Sequence, residues 1–180
     1  MDANADVHAG AMAIAHPSFD PYGGSPPASL SNEYDIGILV LAQPYPGVQY
    51  ELLPRPGEAA SIVSGAAVDI VGYGFSVESD LNHYGVKRNA TTHIAQVGSH
   101  ELQIANPGEP QSCQGDLGGP ALLQVAGGRR IISVVSRSAV SDPEDCSQGG
   151  IHTRIDVHLE WIHSQVDVPC GSGLSEDCPV

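Results

Sequence analysis

Short apolar runs that alternate with polar positions, broken by glycine and proline, set the pattern of this chain. Residues 7–15 (VHAGAMAIA) and 36–42 (IGILVLA) read as two strands, separated by a loop at 17–32 that contains PYGGSPP and has no periodicity of its own. Residues 43–57 (QPYPGVQYELLPRPG) are dense in proline, which suits an extended linker between two packed units. Six further runs follow at 68–74, 87–97, 101–105, 120–126, 130–137 and 150–155. Their alternation predicts a small antiparallel barrel, and Gly127-Gly128 between two of them predicts a hairpin. One helix is predicted over 157–166, where Leu159, Ile162 and Val166 share a face. His158 and His163 have no HExxH spacing, so they read as surface histidines and not as zinc ligands.

Composition agrees with many short strands joined by turns. The chain has 180 residues, 41% of them apolar, with 21 Gly and 14 Pro spread along it. That length suits one domain. Acidic residues number 21 against 7 basic ones, a formal charge of −14. Nucleic acid and anionic membrane partners are therefore repelled, and the acidity reads as solubility more than as recognition of a basic partner. No apolar stretch is long enough to span a bilayer, and the opening MDANADVHAG carries no export signal. Cys113, Cys146, Cys170 and Cys178 form an even set without CxxC pairs, which favours two disulfides over free thiols. Disulfides call for export while the chain shows no route to it, a conflict that a segment upstream of Met1 would resolve.

The chemistry is concentrated in residues 112–120, SCQGDLGGP. This stretch resembles the CxGDSGGP nucleophile loop of the trypsin and chymotrypsin family, with Leu117 where the family has serine. Such a loop needs glycine because its backbone turns sharply to aim N–H groups at a substrate carbonyl. Gly115 and Leu117 can supply those donors. Leucine has no lone pair to attack a carbonyl, so acyl-enzyme chemistry at position 117 is excluded.

Four more segments match in family order. HPSFD at 16–20 followed by NEYDIGIL at 32–39 is similar to HPxY...NDIALL, which implies that Asp35 stands at the triad acid position. VGYG at 71–74 stands for GWG, SVVSRS at 133–138 for GIVSWG, and GIHTRI at 150–155 with LEWI at 159–162 for GVYTRV...WI. The resemblance implies an all-β, chymotrypsin-like double barrel with a C-terminal helix. The N-terminal barrel is incomplete at 1–42, 43–60 links it to a complete barrel and helix at 61–168, and a Cys-containing tail occupies 169–180. It also implies a Cys113–Cys146 disulfide, with Cys170 and Cys178 closing a tail loop or pairing elsewhere.

The same resemblance places Gln111, Ser112 and Gly150 in a primary specificity pocket, with Ser136, Arg137 and Ser138 along the substrate backbone. No acidic pocket floor is present, so an Arg or Lys side chain is not the expected ligand. The family's catalytic histidine lies in a TAAHC-like segment that this sequence does not contain, and neither His8 nor His16 matches it. Asp116 corresponds to the aspartate that pairs with a freed N-terminal ammonium. Without that partner it must find another donor, stay solvated, or leave the loop in a zymogen-like arrangement.

A two- or three-stranded N-terminal half leaves open edges, to be covered by an upstream segment, a partner chain or a second copy. The expected function is that of a secreted serine endopeptidase homologue, without cofactor or metal, inactive as written. Two other readings are a non-catalytic binder of peptides or proteins and a shortened form of an active secreted protease. A decaying gene without function is a third.

Overall fold

The structure is a computed structural model that describes residues 8–22, 28–76, 84–142 and 145–166. Two sheets of very different completeness dominate it. Strands β1 (Gly10–Ala15) and β2 (Gly37–Leu41) pair antiparallel as a sheet of two. Strands β3 (Ala67–Gly72), β4 (Arg88–Val97), β5 (Glu101–Ile104), β6 (Pro120–Val125), β7 (Gly128–Ser138) and β8 (Gly150–Arg154) close a barrel in the order β3-β4-β5-β8-β7-β6.

The alternation in the sequence is what the barrel uses. Val68 and Ile70 of β3 point inward while Asp69 between them is less buried, and β4 repeats the pattern with Thr92 and Ile94. The inward side chains, among them Ile94, Leu102, Ile104, Ala121 and Ile132, form one contiguous core. Each fully buried Ile or Leu contributes about 1.5–3 kcal/mol, which drives closure. The β6–β7 hairpin turns at Ala126-Gly127, one residue ahead of the expected pair, and Gly128 opens β7 at φ +108° opposite Val125.

Strand β8 departs from alternation, since its first four residues are all buried. Its second face is covered by a separate apolar cluster of Ile36, Ile155, Leu159 and Ile162, packed with Leu53, Ile131, Val134 and Trp161. This cluster is where the small sheet, the terminal helix and the outside of the barrel meet. The helix begins as a 3-10 turn, Asp156–His158, before α1 (Leu159–Gln165). The arginine of the last strand explains that start: Arg154 holds Asp156 through Nη2 to Oδ2 at 2.6 Å, fixing the turn before α1 begins.

The proline-dense stretch lies along β7 instead of hanging free. The Ile131 N–H donates to the Leu52 carbonyl at 2.9 Å, and Arg130, 1% exposed, grips Glu58 through Nε and Nη2. His158 corrects a sequence expectation: it is 3% exposed, not on the surface. It lies one helical turn before Ile162 and so shares that residue's inward face. His163 is half-buried, its Nε2 enclosed without a hydrogen-bond partner. Cys170 and Cys178 lie outside the described residues.

Candidate functional site

The glycine-rich loop between β5 and β6 is stitched to β7. Gly118 donates its N–H to the Val135 carbonyl and Val135 donates to the Gly119 carbonyl, both at 2.9 Å. These bonds leave Leu117 on a turn with its side chain 65% exposed. Among the described residues neither the Gly115 nor the Leu117 N–H has an internal acceptor. Gly115 sits at φ +88°, and a Cβ there would lie 2.5 Å from the Tyr84 ring, so both conformation and space require glycine. Tyr84 packs in turn on Phe75, with ring centres 5.1 Å apart.

A cavity of about 360 Å³ opens beside this turn, lined by Ser112, Gly115, Leu117, Ser136, Arg137 and Ser138 among others. A neighbouring cavity of about 470 Å³ takes in Gln111, Ser112 and Asp116. The disulfide between Cys113 and Cys146 lies between the two, and both half-cystines line each of them. Six of the ten uncrosslinked residues singled out in the sequence therefore share one cavity wall.

The remaining four hold other places. Asp35 stands behind the wall, where it accepts the Ser136 hydroxyl at Oδ2 (2.7 Å) while its carbonyl accepts the Thr153 hydroxyl (2.7 Å). No imidazole hydrogen-bonds Asp35 among the described residues. Asp116 is satisfied by backbone: Gly74 donates to Oδ1 at 2.7 Å and Cys113 to Oδ2 at 2.9 Å. The carboxylate has thus found donors without an ammonium. Gly72 shows how tightly it is held, since a Cβ there would fall 1.8 Å from Asp116 Oδ1. Gln111 turns its Oε1 onto the Gly149 N–H, and Gly150 is buried behind the Ser112 hydroxyl.

Arg137 does more than line a wall. Its guanidinium binds both oxygens of Glu101 (2.7 and 3.0 Å), the Ser29 carbonyl (3.0 Å) and the Ser31 hydroxyl (3.1 Å). Glu101 is 0% exposed, a buried carboxylate that sequence reasoning missed. Its signal was an acid heading a strand of apolar residues, ELQIA, with no visible partner. His152, also 0% exposed, was equally hidden within β8. Burial pushes its imidazole down to about 3, and its Nε2 has no hydrogen-bond partner.

Strand β6 pairs with β7 only as far as Val134, whereas β8 continues on the other side to Ser138. A closed barrel with a helix, a glycine loop crosslinked to its neighbour and an acid behind a strand edge together define a chymotrypsin-like protein. The chain belongs to the trypsin family, whose model, described as Trypsin, matches residues 2–162. Among curated proteins it is similar to the "Suppressor of tumorigenicity 14 protein homolog" of Bos taurus, 27% identical over 173 residues, 86% of this chain and 18% of that protein. It is also similar to "Tryptase" of Mus musculus, 28% identical over 160 residues, 73% of this chain and 55% of that protein. The chain thus spans about a fifth and about half of the lengths of these relatives.

Proposed function

We propose that this trypsin-family chain binds extended peptide segments of other proteins without cutting them, in an extracellular setting. The observation that carries the reading is Leu117, on an exposed turn at the nucleophile position, beside a cavity that keeps the loop's N–H donors while Asp35 binds Ser136 and no imidazole among the described residues. An extended peptide would lie along β7 beyond its pairing with β6, where main-chain contacts give affinity and neighbouring side-chain pockets give selectivity. The Gly115 and Leu117 N–H groups are placed to hold one peptide carbonyl, as an oxyanion hole does, but the hydrocarbon beside them cannot attack it.

Asp35 then acts as a brace and not as a proton relay, fixing the Ser136 hydroxyl along the peptide's path. The cavity beside Leu117 is lined by uncharged Ser112, Ser136 and Ser138, with Arg137 already engaged by Glu101. It favours an uncharged side chain over Arg or Lys.

The test is a fluorescence-polarisation screen of extended peptides, with mass spectrometry of each mixture after long incubation. Saturable binding without cleavage is expected, weakened by a proline in the peptide position that pairs with β7. Labelling by a fluorophosphonate probe, or hydrolysis that survives in L117A, would overturn the reading. L117S is expected to stay inactive, because among the described residues no imidazole bonds Asp35; slow hydrolysis in L117S would reveal a general base and assign the silence to the leucine alone.

A further inference from the structure

The helix, the barrel and the small sheet meet in a group of rings that the peptide groove does not use. His16 follows β1, Tyr34 precedes β2, His100 precedes β5, and His158 and Trp161 come from the 3-10 turn and α1. His16 stacks on Tyr34 with ring centres 5.1 Å apart, and lies 4.9 Å from His158 and 4.8 Å from Trp161. His100 closes the group, 4.8 Å from Tyr34 and 5.4 Å from His158.

Two of these imidazoles have enclosed nitrogens, His100 Nδ1 and His158 Nε2, with no hydrogen-bond partner. Among the described residues no three His, Cys, Asp or Glu side chains are placed to hold a metal ion. What this group can exchange is protons. We infer that His16, His100 and His158 form an acid-sensitive latch: their rings pack the β1–β2 sheet onto the barrel and helix, and on acidification charge on His16 and His158 releases it.

The charges around the group favour release. Asp156 draws a proton towards His158, but it is gripped by Arg154 through two contacts, 3.0 Å to Oδ1 and 2.6 Å to Oδ2, and its pull is weaker than the opposing effects of burial and of the neighbouring imidazoles. Arg154 adds a positive charge of its own, and the phenol of Tyr34 offers none. His16 Nδ1 accepts the Ser18 N–H at 3.2 Å, a bond that a proton on that nitrogen would break. Burial first, then the neighbouring imidazoles, pull His158 down to about 4, and burial followed by His100 also lowers His16. The neutral forms are therefore the ones the packed arrangement selects.

Release has a defined route to the groove. Tyr34 is held at φ +53°, a conformation rare for a side chain of this size, and is directly followed by Asp35, which braces Ser136. Freed of its stacking partners, Tyr34 loses what holds that turn, and Asp35 leaves with it.

The test is hydrogen exchange on the unmodified chain from neutral pH to pH about 4, alongside NMR titration of the histidine Cε1 protons and fluorescence of Trp161, the single tryptophan. Protection factors in β1 and β2 are expected to fall at least about tenfold before those of barrel amides such as Ile104 and Ile132. The midpoint should coincide with the titration of His16 and His158 and with a change in Trp161 emission. In H158Q it should move down by about one pH unit, because one charge fewer must be accommodated. An unchanged midpoint in H158Q would assign the release to carboxylates such as Glu101 and overturn the latch. Loss of sheet and barrel protection in a single step would overturn it too. Should H158Q not fold, the unmodified chain still decides: sheet release at a pH where neither imidazole titrates sinks the proposal.

Discussion

The two sheets are built from similar strands and reach opposite outcomes. In the barrel every strand has two neighbours, and Ile94, Ile104 and Ile132 are each 1% exposed. In the sheet of two, β1 has one half-buried residue, and Leu39 of β2 remains 65% exposed. Alternation alone does not make a core. It does so only where a second layer or a closed ring meets the inward face. The small sheet is held by its ends instead, through Ile36 in the outer apolar cluster, Asp35 on Ser136 and Thr153, and the Arg137 network to Ser29 and Ser31.

The largest effect is expected where the two regions are tied together. Arg137→Ala leaves Glu101 buried without its cation, which costs about 3–5 kcal/mol. Chemical denaturation should show that loss, and hydrogen exchange should show the segment around Ser29 and Ser31 loosening with the barrel. Confinement of the effect to one region would show that the two are not coupled through this pair.

Next comes a matched pair of truncations. Leu102→Ala, at 0% exposure inside the barrel, should cost about 2–5 kcal/mol, whereas Leu39→Ala on the small sheet should stay within about 0.5 kcal/mol. Equal costs in thermal melts would mean that the sheet of two is covered in solution by something that buries Leu39.

The smallest effect at near-neutral pH belongs to His152 in the barrel. Its folded-state pKa lies below the ordinary 6.5, at about 3, so its stabilising contribution is full above 6.5 and declines as pH falls toward 3. Between those limits it adds a slope of about 1.4 kcal/mol per pH unit. His152→Leu should flatten the acid limb of stability against pH by one proton. An unaltered slope would show that this imidazole stays neutral in the unfolded chain as well, or is solvated in the barrel.

Much of the site was legible because its constraints are local. SCQGDLGGP had to form a tight loop, and the hairpin signalled by Gly127-Gly128 forms there, with Gly128 at a positive φ where β7 begins. The strands of the barrel followed from alternation, within a residue or two at most ends. The helix start was not legible, since Asp156 is drawn into a 3-10 turn by Arg154, and His158 was misassigned because one polar residue at the edge of an apolar face carries little weight. The partners of Glu101 and Asp116 lay beyond reach for a stronger reason: Arg137 is 36 positions away from Glu101 and Gly74 is 42 away from Asp116.

The sequence by itself determined the strands and the loop that carries Leu117, since each depends on residues within a few places of one another, and the family resemblance, since the order of several such short segments survives without knowing how they pack. Tertiary structure alone decided which strands close the ring, which carboxylates are neutralised and by what, and which histidines are sealed from water. Those outcomes depend on contacts between distant segments, and the energy of burying a charged or titrating group is set by neighbours that only folding brings together.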